Sequence, residues 1–158
     1  MESMFAKPAS VLWWVITLAW AIQIFFLSTH GFSPHYTGRW LALALDLMHL
    51  HVSLRTFGLL HAALRKLAHL TEYGIFALLL YGIPNGKGLE SWRSSRAAIC
   101  IALAAAYSLS DEFHQLFVPG RHASLRDCGL DTLGASLALL VPYARERMSF
   151  LRFPGKLS

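Results

Sequence analysis

Charged residues are scarce in this chain of 158 residues, since Asp, Glu, Lys and Arg together make up only 15% of it. Cysteine occurs only twice. A disordered chain or a nucleic-acid-binding tail needs more charge than this, so both classes are poor interpretations. Two cysteines that lie far apart form neither a disulfide framework nor a C-x-x-C metal site. We therefore predict that Cys100 and Cys128 are packing residues.

Hydrophobic residues, by contrast, make up 55% of the sequence. The apolar run 9–29 is 21 residues long and contains no Asp, Glu, Lys or Arg. At about 1.5 Å per residue, a helix of this length crosses the roughly 30 Å hydrocarbon core of a membrane. A cleaved signal peptide is the alternative, but the run is long and lacks an A-x-A cleavage site. We expect a retained transmembrane helix.

Three shorter apolar runs follow, and each has polar residues at one end. In an antiparallel bundle these polar ends would lie on one side of the membrane. The sequence therefore predicts one all-α membrane domain over 1–158, with four transmembrane helices at about 9–29, 67–83, 97–113 and 127–143. Between the first two spans, residues 31–38 are turn-prone, and residues 40–54 are too interrupted to cross a membrane. We predict a helical segment in the outer interface there, anchored by Trp40.

The distribution of charge orients this bundle. If both termini are cytoplasmic, the inner segments 1–8, 84–96 and 144–158 contain eight basic and three acidic residues, which gives a net charge of +5. The outer segments contain six of each and are neutral. This arrangement follows the positive-inside rule, and anionic lipids of the membrane account for the basic excess. No nucleic-acid partner is needed.

Polar residues share one face of the predicted second helix. At helical spacing, His61, Arg65, His69 and Glu72 lie close together around the helix axis. Two interpretations remain open. Arg65 and Glu72, or a neighbour, form ion pairs that tie helices together, or His69 and Glu72 are metal ligands or a general acid–base pair.

A second polar group surrounds the connection between the third and fourth helices. Asp111, Glu112, His114 and Gln115 precede a stop at Pro119-Gly120, and Ser124-x-x-Asp127 is typical of a helix N-terminus. Asp127 and Asp131 are four residues apart on one helix face and repel each other. We therefore expect a cation beside them. The candidates are Arg65, Lys66, Arg121, Arg126 or a bound metal ion.

Several of these motifs occur together in a known family. RKLAHLTEY at 65–73, DEFHQLFVPGR at 111–121 and SLRDCGLDTLGA at 124–135 resemble the VanZ-like family of small bacterial membrane proteins, and FFLSTHGFSP at 25–34 is similar to the end of that family's first span. The resemblance covers nearly the whole chain. It implies a multi-pass protein of the bacterial inner membrane, associated with the envelope and with glycopeptide tolerance of the teicoplanin type. It implies no reaction.

Three functional hypotheses follow. In the first, an extracytoplasmic pocket binds the anionic head group of a lipid-linked cell-wall precursor or a lipoglycopeptide among the membrane lipids. Its binding residues would be Arg65, Lys66, Glu112, Gln115, Arg121, Ser124, Asp127 and Asp131.

In the second, the protein is a membrane-embedded hydrolase or transferase that acts on a lipid phosphate or a lipid-linked saccharide. Its acid–base groups, or its ligands for a divalent metal, would be His69, Glu72, Asp111 and His114. In the third, the same polar residues only hold the helices together.

Overall fold

The computed structural model describes residues 8–29, 32–82, 92–121 and 123–152, and its regular structure within these ranges is helical. The described helices are α1 (Pro8–Leu27), α2 (Pro34–Leu47), α3 (Leu54–Gly82), α4 (Ser94–Gln115), α5 (Leu125–Ala138) and α6 (Leu140–Arg152). The prediction of an all-α protein is therefore confirmed. Over its described residues, none of these helices has both the length and the apolarity required of a membrane-spanning helix. The inner-segment residues Lys7, Lys87 and Lys156 lie outside the described ranges.

The connection between α1 and α3 differs from its prediction. Residues 31–38 are turn-prone in sequence, yet α2 begins within them, at Pro34, with Ser33 as its N-cap. Proline suits the first helical position because its φ is fixed near the helical value and its missing N–H has no helical partner there. The helix ends before His49, which adopts a left-handed φ of 56°, as residues after a helix C-cap often do. The predicted helical segment between the first two apolar runs is therefore present as α2, and it begins earlier than the interrupted stretch 40–54.

The core lies between α1, α3, α4 and α5. The indole Nε1 of Trp20 donates to the carbonyl oxygen of Glu72 at 2.9 Å, which joins α1 to α3. The backbone N–H of Arg93 donates to the hydroxyl of Tyr81 at 2.7 Å, so α4 begins where α3 ends. The apolar core consists of Ile24, Tyr73, Phe76, Ala77, Tyr81, Ala97, Cys100, Ala104, Ala135 and Leu139. Cys100 and Cys128 are both free and buried, as predicted.

The helices α3 and α5 approach each other closely at Gly134. A side-chain carbon added to Gly134 would lie 2.8 Å from the Cα of Leu70, and closer still to its carbonyl oxygen. Helix backbones approach this closely only where a small residue lies at the contact, and here that residue is Gly134. Because His69 precedes Leu70 and Asp131 lies one turn before Gly134, this contact also sets the separation of His69 and Asp131.

The segment predicted as a fourth helix, 127–143, forms two helices. The first of them, α5, ends at Ala138, and α6 begins at Leu140. Pro142 explains the interruption, because a proline ring lacks an N–H donor and clashes with the carbonyl group four residues earlier. The prediction of one continuous helix over 127–143 is therefore wrong.

Replacing Gly134 by alanine is expected to lower the free energy of unfolding by about 1–3 kcal/mol, because the added methyl group would push α5 away from Leu70. Gly129→Ala is the matched control on the same helix, since a Cβ there would meet nothing within 4 Å. This control should be neutral or should stabilise the helix by about 0.5–1 kcal/mol. Unfolding midpoints of the purified variants measure both effects. Equal midpoints for the two variants would contradict the close approach.

Candidate functional site

A cavity of about 190 Å³ lies between α1, α2, α3 and the end of α4. The sequence-predicted site residues that line it are Arg65, His69, Glu72, Asp111, Gln115 and Arg121. Its other lining residues are Ile24, Leu27, Ser28, Phe32, Thr37, Ala68 and Tyr73. Two polar groups that are remote in the sequence, one on α3 and one around the end of α4, are therefore brought to one place.

His69 on α3 is held by Asp131 on α5. Nδ1 of His69 donates to Oδ1 of Asp131 at 3.0 Å, and the hydroxyl of Ser108 on α4 donates to Oδ2 of the same carboxylate at 2.5 Å. Asp131 is only 1% exposed, so its charge requires such partners. We expected an arginine, a lysine or a metal ion beside Asp127 and Asp131. The partner that the structure shows for Asp131 is a histidine on the facing helix, while Asp127 interacts electrostatically with Arg65.

The histidine ring has one nitrogen left for the cavity. Since Nδ1 of His69 is engaged with Asp131, Nε2 is the free nitrogen, and it makes no hydrogen bond to the described part of the chain. A carboxylate on Nδ1 fixes the tautomer in which Nε2 carries a lone pair. Because His69 lines the cavity and its Nδ1 is engaged, Nε2 is the ring nitrogen that remains available to a ligand.

Arg65 and Arg121 are half-buried and line the same cavity. Nη1 of Arg65 donates to the carbonyl oxygen of Phe32 at 3.4 Å, and Nη2 of Arg121 donates to the carbonyl oxygen of Leu27. Neither guanidinium forms an ion pair with any carboxylate that the structure describes, and Nε of Arg121 has no hydrogen-bond partner there. A guanidinium carries five N–H donors, so most of them remain available for a ligand.

The electrostatic surroundings of the two arginines are unfavourable for their charges. Burial lowers the pKa of Arg65, although Asp127 and Glu72 oppose this effect. Burial also lowers the pKa of Arg121, and the positive charge of Arg65 lowers it further, although Asp111, Glu112 and Glu72 oppose this effect. Because a guanidinium is strongly basic, both side chains stay charged near neutral pH. An anion between them would relieve their mutual repulsion.

The cavity also contains two carboxyl groups. Oδ2 of Asp111 accepts a hydrogen bond from Nε2 of Gln115 at 3.0 Å, whereas Oδ1 is buried and has no hydrogen-bond partner within the described ranges. Glu72 lies one turn after His69 on α3. The cavity wall therefore offers two fixed cations, two carboxyl groups and one imidazole.

Six candidate residues do not line the cavity, and His114 and Lys66 are two of them. The ring of His114 packs against that of Phe25, with centroids 4.5 Å apart, and its Nδ1 lies 3.5 Å from the hydroxyl of Ser28. Lys66 is exposed. Among the residues that the structure describes, no three His, Cys, Asp or Glu side chains are close enough to hold a metal ion. The predicted ligand set of His69, Glu72, Asp111 and His114 is therefore not assembled.

Glu112, Ser124 and Asp127 organise the start of α5. Oε2 of Glu112 accepts a hydrogen bond from the backbone N–H of Ser124 at 2.5 Å, and the hydroxyl of Ser124 accepts one from the N–H of Asp127 at 3.4 Å. The predicted Ser-x-x-Asp helix cap is thus confirmed. These three residues act on the cavity indirectly, because they position the helix that carries Asp131.

Sequence reasoning missed Ser108 and Thr37. Ser108 is fully buried and lies three residues before Asp111 on α4, so its helical spacing was the signal that could have revealed it. Thr37 lies on α2, and its hydroxyl is 2.9 Å from Nε2 of His61 on α3. No local pattern connects α2 with the motif residues, so the sequence held no comparable signal for Thr37.

Ser108→Ala is expected to lower the free energy of unfolding by about 1.5–3 kcal/mol, because a buried carboxylate would lose a hydrogen bond. Ser110→Ala is the matched control, since Ser110 lies on the same helix and is exposed, and among the described residues its hydroxyl bonds only to the carbonyl oxygen of Tyr107. Its effect should stay within about 0.5 kcal/mol. Denaturant unfolding of both variants provides the comparison. A neutral Ser108→Ala would show that Asp131 does not depend on this hydroxyl.

Comparison with known proteins adds one finding. The family model described as VanZ/LLP1 matches residues 13–145, a range that includes every residue around the cavity. No curated protein and no solved structure matches the chain. The family match covers most of the 158 residues and agrees with the resemblance of the motifs on α3, α4 and α5, so this chain belongs to the VanZ/LLP1 family.

Proposed function

We propose that this protein is a VanZ-type component of the bacterial envelope whose cavity binds the anionic head group of a lipid-linked cell-wall precursor or a lipoglycopeptide. One observation carries the proposal: Arg65 and Arg121 share a cavity, and neither is neutralised by a contacting carboxylate. Guanidinium groups bind phosphate and carboxylate through two parallel hydrogen bonds. The cavity therefore suits a phosphate or carboxylate group better than a neutral sugar.

The size and lining of the cavity favour a head group over a whole lipid. A volume of about 190 Å³ holds only a few water-sized groups, because a water molecule occupies about 30 Å³ in the liquid. Ile24, Leu27 and Phe32 add an apolar wall beside the arginines. We propose that the phosphate enters the cavity, that the first carbons of the lipid contact this wall, and that the rest of the tail stays outside.

We also propose that the chain crosses the inner membrane four times, at about 9–29, 67–83, 97–113 and 127–143, with α5 and α6 forming the fourth crossing on either side of the break at Leu139. Both termini are then cytoplasmic, and the cavity opens on the extracytoplasmic side. The uncharged run 9–29 supports this placement. The exposed surface of α1 supports it as well, because it contains five large apolar side chains that are 51–61% exposed: Leu12, Trp14, Leu18, Ile22 and Phe26. Such a continuous apolar surface is unusual in contact with water and is suited to lipid.

Tolerance of teicoplanin-type glycopeptides follows from the same binding. A protein that holds a lipid-linked precursor, or the lipoglycopeptide itself, at the outer leaflet would reduce the encounter between drug and target. We propose that cavity occupancy produces such tolerance. This link between cavity occupancy and tolerance is tested by measuring glycopeptide tolerance in cells that express each variant at equal membrane abundance.

Arg65→Gln and Arg121→Gln are each expected to weaken the binding of a polyprenyl diphosphate by about tenfold or more, since each removes a charge-assisted hydrogen bond. Arg55→Gln is the control, because Arg55 is exposed at the start of α3 and does not line the cavity. Binding of a fluorescent polyprenyl diphosphate to the purified proteins measures the affinities. The two cavity variants should also lose glycopeptide tolerance.

Two results would contradict this binding function. One is an absence of diphosphate binding by the unmodified protein, and the other is equal affinity in all three variants. If Arg65→Gln and Arg121→Gln instead disappear from the membrane while Arg55→Gln does not, the arginines serve to hold the helices together.

The proposed topology predicts the accessibility of single introduced cysteines. After Cys100 and Cys128 are replaced by alanine, a membrane-impermeant maleimide added to intact cells with a permeable outer membrane should label His51→Cys and Ala123→Cys. It should not label Arg147→Cys until the inner membrane is opened. All three positions are exposed, so burial does not limit their reaction. Labelling of position 147 from outside, or protection of position 51 or 123, would refute the topology.

A further inference from the structure

We propose that the cavity also hydrolyses its ligand, with Nε2 of His69 as the nucleophile that attacks the terminal phosphoryl group of a lipid phosphate or diphosphate. This inference rests on the proposed function, because Arg65 and Arg121 must first bind the phosphoryl oxygens. It goes beyond binding because it assigns a chemical step to His69. Binding by the two arginines does not account for the contact between His69 and Asp131.

The first support is the contact between His69 and Asp131. A nucleophilic imidazole needs a lone pair on the nitrogen that faces the substrate and a partner for the positive charge that the ring gains. Asp131 meets both needs, since its Oδ1 lies 3.0 Å from Nδ1 of His69 and leaves Nε2 free. The hydroxyl of Ser108 holds the other carboxylate oxygen and thereby fixes its orientation.

The second support is the position of His69 relative to the arginines. Arg65 lies one turn before His69 on α3, and both side chains line the cavity together with Arg121. A phosphoryl group held by the two guanidiniums would therefore be next to the imidazole. Stabilisation of the equatorial oxygens by fixed cations and placement of the nucleophile are the main requirements of phosphoryl transfer.

The third support comes from the hydroxyl groups of Ser28 and Thr37, which also line the cavity. The hydroxyl of Ser28 donates to the carbonyl oxygen of Phe25 at 2.9 Å, and that of Thr37 donates to the carbonyl oxygen of Ser33 at 3.2 Å. Nε2 of His61 lies 2.9 Å from the hydroxyl of Thr37, and Nδ1 of His114 lies 3.5 Å from that of Ser28. Within the described ranges, however, neither of these rings is bound to a carboxylate as His69 is. His69 is therefore the better nucleophile.

Asp111 completes the proposed reaction as the proton donor. Oδ1 of Asp111 has no hydrogen-bond partner in the described ranges. When this carboxyl group is protonated, no neighbouring acceptor therefore competes with the ligand for its proton. Nε2 of His69 forms a bond to phosphorus while the bond from phosphorus to the leaving oxygen breaks, and that oxygen takes the proton of Asp111. Water then attacks the phosphohistidine and gives a proton back to Asp111. The N–P bond breaks, and inorganic phosphate leaves without any change of oxidation state.

The test uses the full-length protein in detergent with farnesyl diphosphate that carries ³²P in its terminal phosphoryl group. We expect release of labelled phosphate and, after an alkaline quench, a base-stable and acid-labile label that maps to His69. Inorganic pyrophosphate serves as the second probe. It should bind more weakly and should not be hydrolysed, because it lacks the lipid part that contacts the apolar wall.

His69→Asn is the informative variant, because the amide nitrogen of asparagine can replace Nδ1 as the donor to Asp131 while Nε2 is removed. We expect this variant to bind farnesyl diphosphate but to lose the label and at least about 100-fold of the turnover. His51→Gln is the control, since His51 is exposed and does not line the cavity. It should keep both the label and the turnover.

Each outcome separates the two proposals. If the unmodified protein does not bind farnesyl diphosphate, the proposed binding function fails as well. If it binds through Arg65 and Arg121 but releases no phosphate, only the hydrolysis is refuted. Release of phosphate without a label on His69, or an active His69→Asn, also refutes the assignment of His69 as nucleophile. The mapped label in the unmodified protein decides the question even if His69→Asn does not fold.

Discussion

The buried carboxylate of Asp131 is the constraint on which the arrangement of the helices depends. An unpaired carboxylate with 1% exposure would cost several kcal/mol, so α5 can pack in the interior only where donors meet it. His69 on α3 and Ser108 on α4 provide those donors. Three helices are thereby fixed relative to one another by a single side chain. The close approach at Gly134 is the steric counterpart, because a larger residue there would separate His69 from Asp131.

The parts of this structure that the sequence predicts are governed by local interactions. The helical class follows from long apolar runs, and the start of α5 follows from Ser124 and Asp127, which interact within one turn. The joint occurrence of the motifs on α3, α4 and α5 was also enough to identify the family. In each of these cases the information lies within a few neighbouring residues or in a fixed order along the chain.

The partners of the polar residues could not be predicted in this way. His114 and Gln115 are adjacent on α4, yet Gln115 lines the cavity while His114 packs on Phe25. A helical wheel places the two about 100° apart but does not say which direction faces the cavity. The rotation of α4 is set by its contacts with other helices, including the bond from Ser108 to Asp131. For the same reason, the sequence did not identify His69 as the partner of Asp131.

The way in which Arg121 is held explains how a cavity with two carboxyl groups can still attract an anion. Its guanidinium donates to the carbonyl oxygen of Leu27, the last residue of α1. The last carbonyl groups of a helix have no helical partner and carry partial negative charge. They orient a guanidinium without neutralising it, whereas a contacting carboxylate would engage its donors and cancel its charge. Phe32 holds Arg65 through a carbonyl oxygen as well. Both cations are therefore fixed in position and keep most of their donors for a phosphoryl group.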